Sequence, residues 1–295
     1  ARVYGVRGEY TEAGALARTA LDSAVVLGDE QGQADSLNIL GIVYWHTGEY
    51  DNALEFYNRS LAIYRTWGTM SREIADVLSN LGLIYTTLGI YDTALEHCLE
   101  SLTAREILGD QRGIASSLVN IGNIYLQKED PREALEFYLK ALGFQQEVGD
   151  KDGMGYTLGN IAAIYLELGN TEAAIGHIYT CLELARQTGA RRMEGYVFFL
   201  FGKAFEQQEK DEDALEMYTQ SLEIGREIGY GSGEAAGLHA AGLVLIRQQQ
   251  LQEACVYLLG ALAIMEKMQH KVATYDIHYL LASVYEELHE PALAL

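Results

Sequence analysis

The chain of 295 residues is poor in proline, which interrupts helices, and in cysteine, which builds disulfides and metal sites. It contains only 2 prolines and 3 cysteines, which are Cys98, Cys181 and Cys255. These cysteines are too few and too widely spaced for a disulfide framework or a CxxC metal site, and an isolated free cysteine commonly behaves as a small apolar residue. We therefore expect a reducing, cytoplasmic compartment and predict neither a cofactor nor a metal.

Long apolar runs and positive charge are also scarce. The longest apolar runs, such as residues 196–201, are far too short to cross a bilayer. Only 21 basic residues oppose 42 acidic ones, which gives a net charge of −21. Because such a field repels phosphate backbones and anionic headgroups, nucleic acid and membrane are not predicted as partners. Most of the acidic charge is expected to keep the outer helix faces solvated.

A small residue recurs along the whole chain every 40 residues, with one step of 41. This reference position of each repeat is held by Ala1, Gly41, Gly82, Gly122, Ala162, Gly202, Gly242 and Ala282. An alanine follows twelve residues after every one of them, and an aromatic residue follows three residues after most. Because a glycine inside a helix costs about 1 kcal/mol relative to alanine, its recurrence indicates the close approach of two helix backbones.

Further glycines mark where helices end. Seven residues after the reference position, a glycine predicts the turn that closes a first helix, helix A, at Gly8, Gly48, Gly89 and Gly169. A later glycine closes a second helix, helix B, at Gly28, Gly68, Gly109, Gly149, Gly189 and Gly229. Both prolines, Pro131 and Pro291, fall in the first turn of helix B. Aspartates after the second glycine are predicted to cap the next helix at Asp29, Asp110 and Asp150.

The pattern predicts an all-α fold, an α-solenoid that runs over residues 1–295 as a single array. Six complete helix pairs are expected, at 32–68, 72–109, 113–149, 153–189, 192–229 and 232–269. A partial repeat at 1–28 and a truncated repeat at 272–295 flank them, so the sequence is expected to be part of a longer protein. Each hairpin can bury its apolar face only against its neighbours, which makes the array one cooperative unit.

The residue types at these recurring positions resemble those of the tetratricopeptide repeat family, although that family repeats about every 34 residues. The longer form is similar to that of LGN/Pins-type polarity adaptors and of arrays in bacterial signalling proteins. The resemblance implies a right-handed superhelix of antiparallel helix pairs whose concave groove, lined by A helices, binds a protein or peptide. The family's contact positions give a candidate groove set of Asn80, Leu83, Thr87, Asn120, Asn123, Gln127, Asn160, Leu166, Phe199, Lys203, Leu243 and Arg247.

Within this set, Asn80, Asn120 and Asn160 form a ladder two residues before the reference position. A side-chain amide both donates and accepts hydrogen bonds, so such a ladder suits an extended peptide backbone. The amides would instead be structural if they bonded to one another or to the adjacent helix. The apolar members, such as Phe199, either receive an apolar anchor of the ligand or serve packing between repeats.

The two cations of the set leave a similar choice, because Lys203 and Arg247 can pair with an acidic ligand or with Glu206 and Glu167. The family's carboxylate clamp for chaperone tails is not predicted. Asn123 and Asn160 match its amides, but its three cationic positions are held by Val119, Tyr196 and Leu200.

The sequence contains no catalytic motif that would indicate an enzyme. The glycine-rich segment 229–233 follows no strand, so it is not predicted to be a phosphate loop. The leading hypothesis is a protein- or peptide-binding scaffold or adaptor within a larger signalling protein. The alternative is the ligand-sensing regulatory segment of a bacterial multidomain cyclase, kinase or transcription regulator. End-to-end self-association of the fragment is a further expectation.

Overall fold

The computed structural model describes residues 2–68, 70–268 and 271–288, with side chains described from residue 10 and not at 271–272. Within these residues the chain forms fourteen helices and no strand. They are α1 (Arg2–Leu27), α2 (Glu30–Thr47), α3 (Tyr50–Thr66), α4 (Arg72–Thr87), α5 (Tyr91–Leu108), α6 (Gln111–Gln127), α7 (Pro131–Val148), α8 (Lys151–Glu167), α9 (Thr171–Thr188), α10 (Arg191–Gln207), α11 (Asp211–Glu227), α12 (Gly231–Arg247), α13 (Leu251–Lys267) and α14 (Lys271–Glu287). The prediction of an all-α repeat array is confirmed.

The even-numbered helices from α2 onward are the A helices, and the odd-numbered helices from α3 onward are the B helices. The turns between them take the predicted glycines. Gly48, Gly89 and Gly169 end A helices at φ of 81°, 75° and 74°, a left-handed conformation that glycine adopts without steric cost. At the equivalent turns of other repeats, Glu129, Glu209 and Gln249 adopt the same conformation at φ near 60°.

The predicted helix caps are confirmed. The carboxylates of Asp29, Asp110 and Asp150 accept hydrogen bonds at 3.0–3.1 Å from the backbone N–H three residues later. Pro131 begins α7, where its missing N–H would have no partner within the helix. The reference residue Ala1, together with Pro291 and Ala294, lies outside the described residues.

The predicted turn at Gly8 is wrong, because α1 continues through it from Arg2 to Leu27. The tripeptide at residues 8–10 is the same Gly-Glu-Tyr that stands at 48–50, where Gly48 does end a helix. The tripeptide alone therefore does not decide whether a helix ends, and α2 ends at Gly48 after burying an apolar face over 18 residues.

The chain divides into two compact units, Ala1–Gly149 and Asp150–Leu295, and each is described by itself. Within both units the reference glycines face side chains of the next B helix, which are tyrosines at Gly41, Gly122 and Gly202, Leu258 at Gly242 and Cys98 at Gly82. A Cβ added to Gly41 would lie 2.6 Å from Cδ1 of Tyr57, and one added to Gly122 would lie 2.9 Å from Cε1 of Tyr138. The small residue therefore makes room chiefly for a side chain, and less for the other backbone than the sequence alone indicated.

Candidate functional site

The A helices α8, α10 and α12 of the second unit surround a cleft of about 610 Å³. Four residues of the candidate groove set line it: Leu166, Phe199, Lys203 and Arg247. They come from three repeats, and the 40-residue periodicity is what aligns the three helices. The cleft combines an apolar wall with charged side chains, which is the composition expected of a ligand site.

The charge of Arg247 is already balanced inside the protein. Its Nη2 lies 2.7 Å from Oε1 of Glu206 and 2.8 Å from Oδ1 of Asp211. Hydrogen bonding to Asp211, and then to Glu206, raises the pKa of the guanidinium. Glu206 also accepts a hydrogen bond from the hydroxyl of Tyr218. Of the two roles open to Arg247, pairing with a neighbouring carboxylate is the one the structure contains.

Lys203, in contrast to Arg247, forms no ion pair with the described residues. Its side chain is exposed, and its ammonium lies 5.6 Å from the ring centroid of Phe199. No carboxylate among the described residues lies within ion-pair distance of it. An ammonium over an aromatic face is weakly stabilised when exposed, so Lys203 retains its capacity to bind an anion.

The apolar wall of the cleft is built by α8 and α10. Leu166 is only 3% exposed, so its side chain serves packing, and its carbonyl accepts a 2.6 Å hydrogen bond from Nε2 of Gln207. Phe199 is half-buried, and Tyr196 keeps 36% of its surface exposed. Desolvation raises the pKa of Tyr196 to about 12, so its hydroxyl remains a hydrogen-bond donor at neutral pH.

The three ladder asparagines are half-buried, Asn80 and Asn120 in the first unit and Asn160 in the second. None of their amides has a hydrogen-bond partner among the described residues, and none is sealed from solvent. Asn123 differs, because its Oδ1 accepts a 2.5 Å hydrogen bond from the hydroxyl of Tyr138. An internal bond is thus found at Asn123, whereas the ladder amides remain available to a ligand.

The remaining members of the candidate set do not line the cleft. Thr87 is exposed and donates to the carbonyl of Leu83 at 2.9 Å, while Leu83 itself is half-buried. Gln127 is exposed at the end of α6, and Leu243 is half-buried on α12.

The candidate set lacked Asp211, which pairs with Arg247, and six residues that line the cleft: Ala163, Glu167, Tyr196, Leu200, Glu206 and Gln207. Gln207 stands at the same repeat position as Thr87 and Gln127, so that column contained the signal for it. Asp211 opens a B helix, and no contact position of the family points to it.

Two other kinds of site are missing from the part of the chain that the structure describes. It contains no group of three or more His, Cys, Asp or Glu side chains arranged to hold a metal ion. None of the helices in this part combines the length and the apolar character needed to span a membrane.

Comparison with solved structures returns other helical repeat proteins. The apo form of RapI superposes with a TM-score of 0.75 at 16% identity, over 91% of this chain and 96% of that one. The apo quorum sensor NprR from B. thuringiensis gives 0.71 at 16% identity, over 93% and 77% of the two chains. A signal transduction ATPase with a tetratricopeptide repeat sensor from Pyrococcus horikoshii gives 0.70 at 18%, over 91% of this chain but only 43% of its own length. At these identities the likeness establishes the fold alone.

Sequence comparison identifies the family. No curated protein matches the chain. The family model described as tetratricopeptide repeat matches residues 1–66, 73–147 and 153–227. Since these segments make up well over half of the 295 residues, the chain belongs to the tetratricopeptide repeat family.

Proposed function

We propose that this chain is a protein- or peptide-binding scaffold module and that the cleft of α8, α10 and α12 receives an extended peptide. The observation that carries the proposal is the state of Lys203, an exposed cation on Phe199 with no carboxylate partner among the described residues. The neighbouring cation, Arg247, is held by Glu206 and Asp211. A ligand with an acidic group for Lys203 and an apolar side chain for Tyr196 and Phe199 suits this arrangement.

The ladder amides supply the second part of the proposal. Asn160, on the same helix as Leu166 of the cleft, is half-buried and unbonded among the described residues, so contact with a peptide backbone satisfies it without breaking an internal bond. Asn80 and Asn120 hold the equivalent position in the first unit and are in the same condition. Each amide has both a donor and an acceptor, which matches the alternating N–H and C=O groups of an extended chain. This mode of binding depends little on the sequence of the ligand, whereas the cleft selects its side chains.

A second candidate function is the sensor segment of a larger regulatory protein. It is supported by two structural neighbours, since one is described as a quorum sensor and another carries a tetratricopeptide repeat sensor beside an ATPase. The sequence of the complete gene tests it, because an attached cyclase, kinase or DNA-binding domain would be evident there. Cytoplasmic location, a role in signalling and the division into six complete repeats are further proposals, and they hold for either candidate function.

The experiment selects peptides from a random-sequence display library on the immobilised chain and measures the affinity of a selected peptide by fluorescence polarisation. Lys203→Gln is expected to weaken a peptide that carries an acidic residue by about tenfold, the usual effect of losing one charge-assisted hydrogen bond. Replacing that acidic residue by its amide should remove the difference between the variant and the parent chain.

The matched control is Lys140→Gln. Lys140 is also exposed and lies 5.1 Å from the ring centroid of Phe137, but it stands on the B helix α7 of the first unit and is not among the residues that line the cleft. Equal losses at Lys203 and Lys140, or failure of the library to yield any binder, would refute the cleft as the peptide site.

A further inference from the structure

The second unit contains a smaller cavity of about 210 Å³ among α10, α11 and α12. Its wall is mainly apolar and includes the side chains of Tyr196, Phe199, Ile224, Ile228 and Tyr230. An apolar cavity of about 150 Å³ in another protein is large enough to bind benzene. This cavity therefore has room for an aromatic ring with a short substituent.

The cavity lies at a position of the repeat where the first unit has a buried arginine side chain. There, Arg105 of α5 is 6% exposed and donates to Oδ1 of Asp76 at 2.9 Å and to the carbonyl of Gly113 at 2.7 Å. Its guanidinium thereby occupies the space between α4, α5 and α6. Three repeats later the equivalent residue is Gly225, and Tyr196 stands at the position of Asp76. Gly225 has no side chain, and the backbone of α12 packs directly against it, so that a Cβ there would lie 2.6 Å from the backbone N of Glu234. No side chain equivalent to that of Arg105 therefore enters the cavity beside this contact.

One buried polar group of the cavity has no partner. Ser221 is only 4% exposed and lines the cavity, yet its hydroxyl makes no hydrogen bond to the described residues. At the same repeat position, Ser60 donates to the carbonyl of Ala34 at 2.8 Å and Ser101 donates to that of Ala75 at 2.7 Å. The Ser221 oxygen is not sealed from solvent, so its hydroxyl is open to a polar atom of a ligand that enters the cavity.

A cation without a carboxylate partner also lines the cavity. The guanidinium of Arg192 lies 4.1 Å from the ring centroid of Tyr230, and its Nη2 lies 3.0 Å from the hydroxyl of that tyrosine. Its neighbour Arg191 is paired with Glu194 and Glu227, whereas no carboxylate among the described residues pairs with Arg192. In a chain of net charge −21, this arrangement favours an anionic group of a ligand.

We propose that this cavity binds a small amphipathic carboxylate whose aromatic or branched aliphatic body fills the apolar space. Arg192 holds the carboxylate, and Ser221 donates its hydroxyl hydrogen bond to a polar atom of the ligand. The site adjoins the proposed peptide site, since Tyr196 and Phe199 line both, but it uses a different cation, because Lys203 and Arg247 take no part in it. The fold would thus recognise a metabolite-sized molecule in addition to a peptide.

The test titrates the full chain with 3-phenylpropanoate in a calorimeter and repeats the titration with the uncharged isostere 3-phenylpropanamide. One site per chain is expected, with the carboxylate bound about tenfold more tightly than the amide. Arg192→Gln should weaken 3-phenylpropanoate by about tenfold and abolish its advantage over the amide. Arg191→Gln, which removes the adjacent and already paired cation, should leave the affinity unchanged.

A second arm fills the cavity. Ala236→Leu adds three carbon atoms to a half-buried residue of the cavity wall and should abolish binding. If its melting temperature shows that this variant is poorly folded, Ser221→Val serves as the filling variant. Lys203→Gln should bind 3-phenylpropanoate as the parent chain does, which separates this site from the peptide site. Equal affinity for acid and amide, retained binding in a folded filling variant, or no binding to the parent chain would each overturn the proposal.

Discussion

The packing of the reference glycines against B-helix side chains predicts the effect of a single methyl group. Gly41→Ala places a Cβ 2.6 Å from both Cδ1 and Cε1 of Tyr57, whose side chain is completely buried. Alanine favours the helix by about 1 kcal/mol, but overpacking of a core costs about 1–3 kcal/mol. Because an enclosed ring cannot move away, we expect a net destabilisation of about 1–2 kcal/mol.

The chain itself provides the compensating substitution. At the equivalent position of α8, Ala162 replaces glycine, and the facing residue of α9 is the fully buried Ile178. Gly41→Ala combined with Tyr57→Ile reproduces this natural pair. Tyr57 is a suitable partner because its hydroxyl is buried without a hydrogen bond, so its removal breaks none. The double variant should therefore be more stable than the sum of the single effects predicts, by about 1 kcal/mol or more.

Urea unfolding of the full chain, followed by far-ultraviolet circular dichroism, measures these differences. Gly143→Ala is the matched control, since Gly143 lies on the surface of α7 and a Cβ there would meet no atom within 4 Å. That variant should gain about 1 kcal/mol from helix propensity alone. Stabilisation by Gly41→Ala equal to that by Gly143→Ala, or strict additivity in the double variant, would refute this expectation. Either result would show that the close contact with Tyr57 does not destabilise the alanine variant.

Four other measurements test the structure. Glu209→Gly should stabilise the chain by about 1 kcal/mol in urea unfolding, because Glu209 is exposed at a left-handed φ of 59° that glycine adopts freely. Tyr57→Phe should be neutral or stabilising, whereas Tyr138→Phe should cost about 1 kcal/mol because it loses the bond to Asn123. Burial lowers the pKa of His97 in the folded chain below its ordinary value of 6.5, so the contribution of this group to stability is constant above that pH and falls as the pH drops below it. Other repeats have phenylalanine at this position, as Phe56 and Phe137. His97→Phe should therefore make the urea midpoint less sensitive to pH between about pH 7.5 and 5.5. Replacing Asn80, Asn120 and Asn160 together by alanine should weaken a selected peptide with little change in melting temperature, and a large loss of stability would show that the ladder is structural.

Much of the fold is predictable because packing repeats with the sequence. Alanine stands twelve residues after every reference position, and Ala53, Ala94, Ala134, Ala174, Ala214 and Ala254 are all completely buried. The glycine turns and aspartate caps follow from local backbone geometry, which is why they could be assigned from short motifs. Gly8 shows the limit of this reasoning. The same tripeptide continues a helix at one position and ends it at another, because the surrounding helices decide whether a turn is stabilised.

The site was less predictable than the fold, because its properties depend on which side chains meet. The contact positions of the family identified Lys203 and Arg247 equally well from the sequence. Only the structure distinguishes them, since Arg247 reaches Glu206 and Asp211 while Lys203 lies on Phe199. The contact between Arg247 and Asp211 joins residues 36 positions apart, and Gln207 and Thr171 bond to each other at the same repeat positions one repeat earlier. The repeat thus specifies which positions meet, whereas the residue types and rotamers decide whether an ion pair forms there.

A repeat protein also contains its own comparison set, since the same packing problem is solved several times in one chain. A repeat position that never varies, such as that of the buried alanines, is required by the packing of the fold. At other positions the residue type changes but its contact is kept. Tyr64 and Arg105 occupy the same repeat position, and each bonds to the aspartate of its own repeat, Asp35 or Asp76. A departure that leaves a space or a polar group uncompensated has no such structural explanation. Gly225 is a compensated change, because the backbone of α12 packs where its side chain would lie, with a Cβ only 2.6 Å from the backbone N of Glu234. The cavity beside it, lined by Ser221 and Arg192, is the uncompensated departure, because stability alone would favour filling it. Uncompensated departures from the repeat are therefore the positions at which function is best sought in this chain.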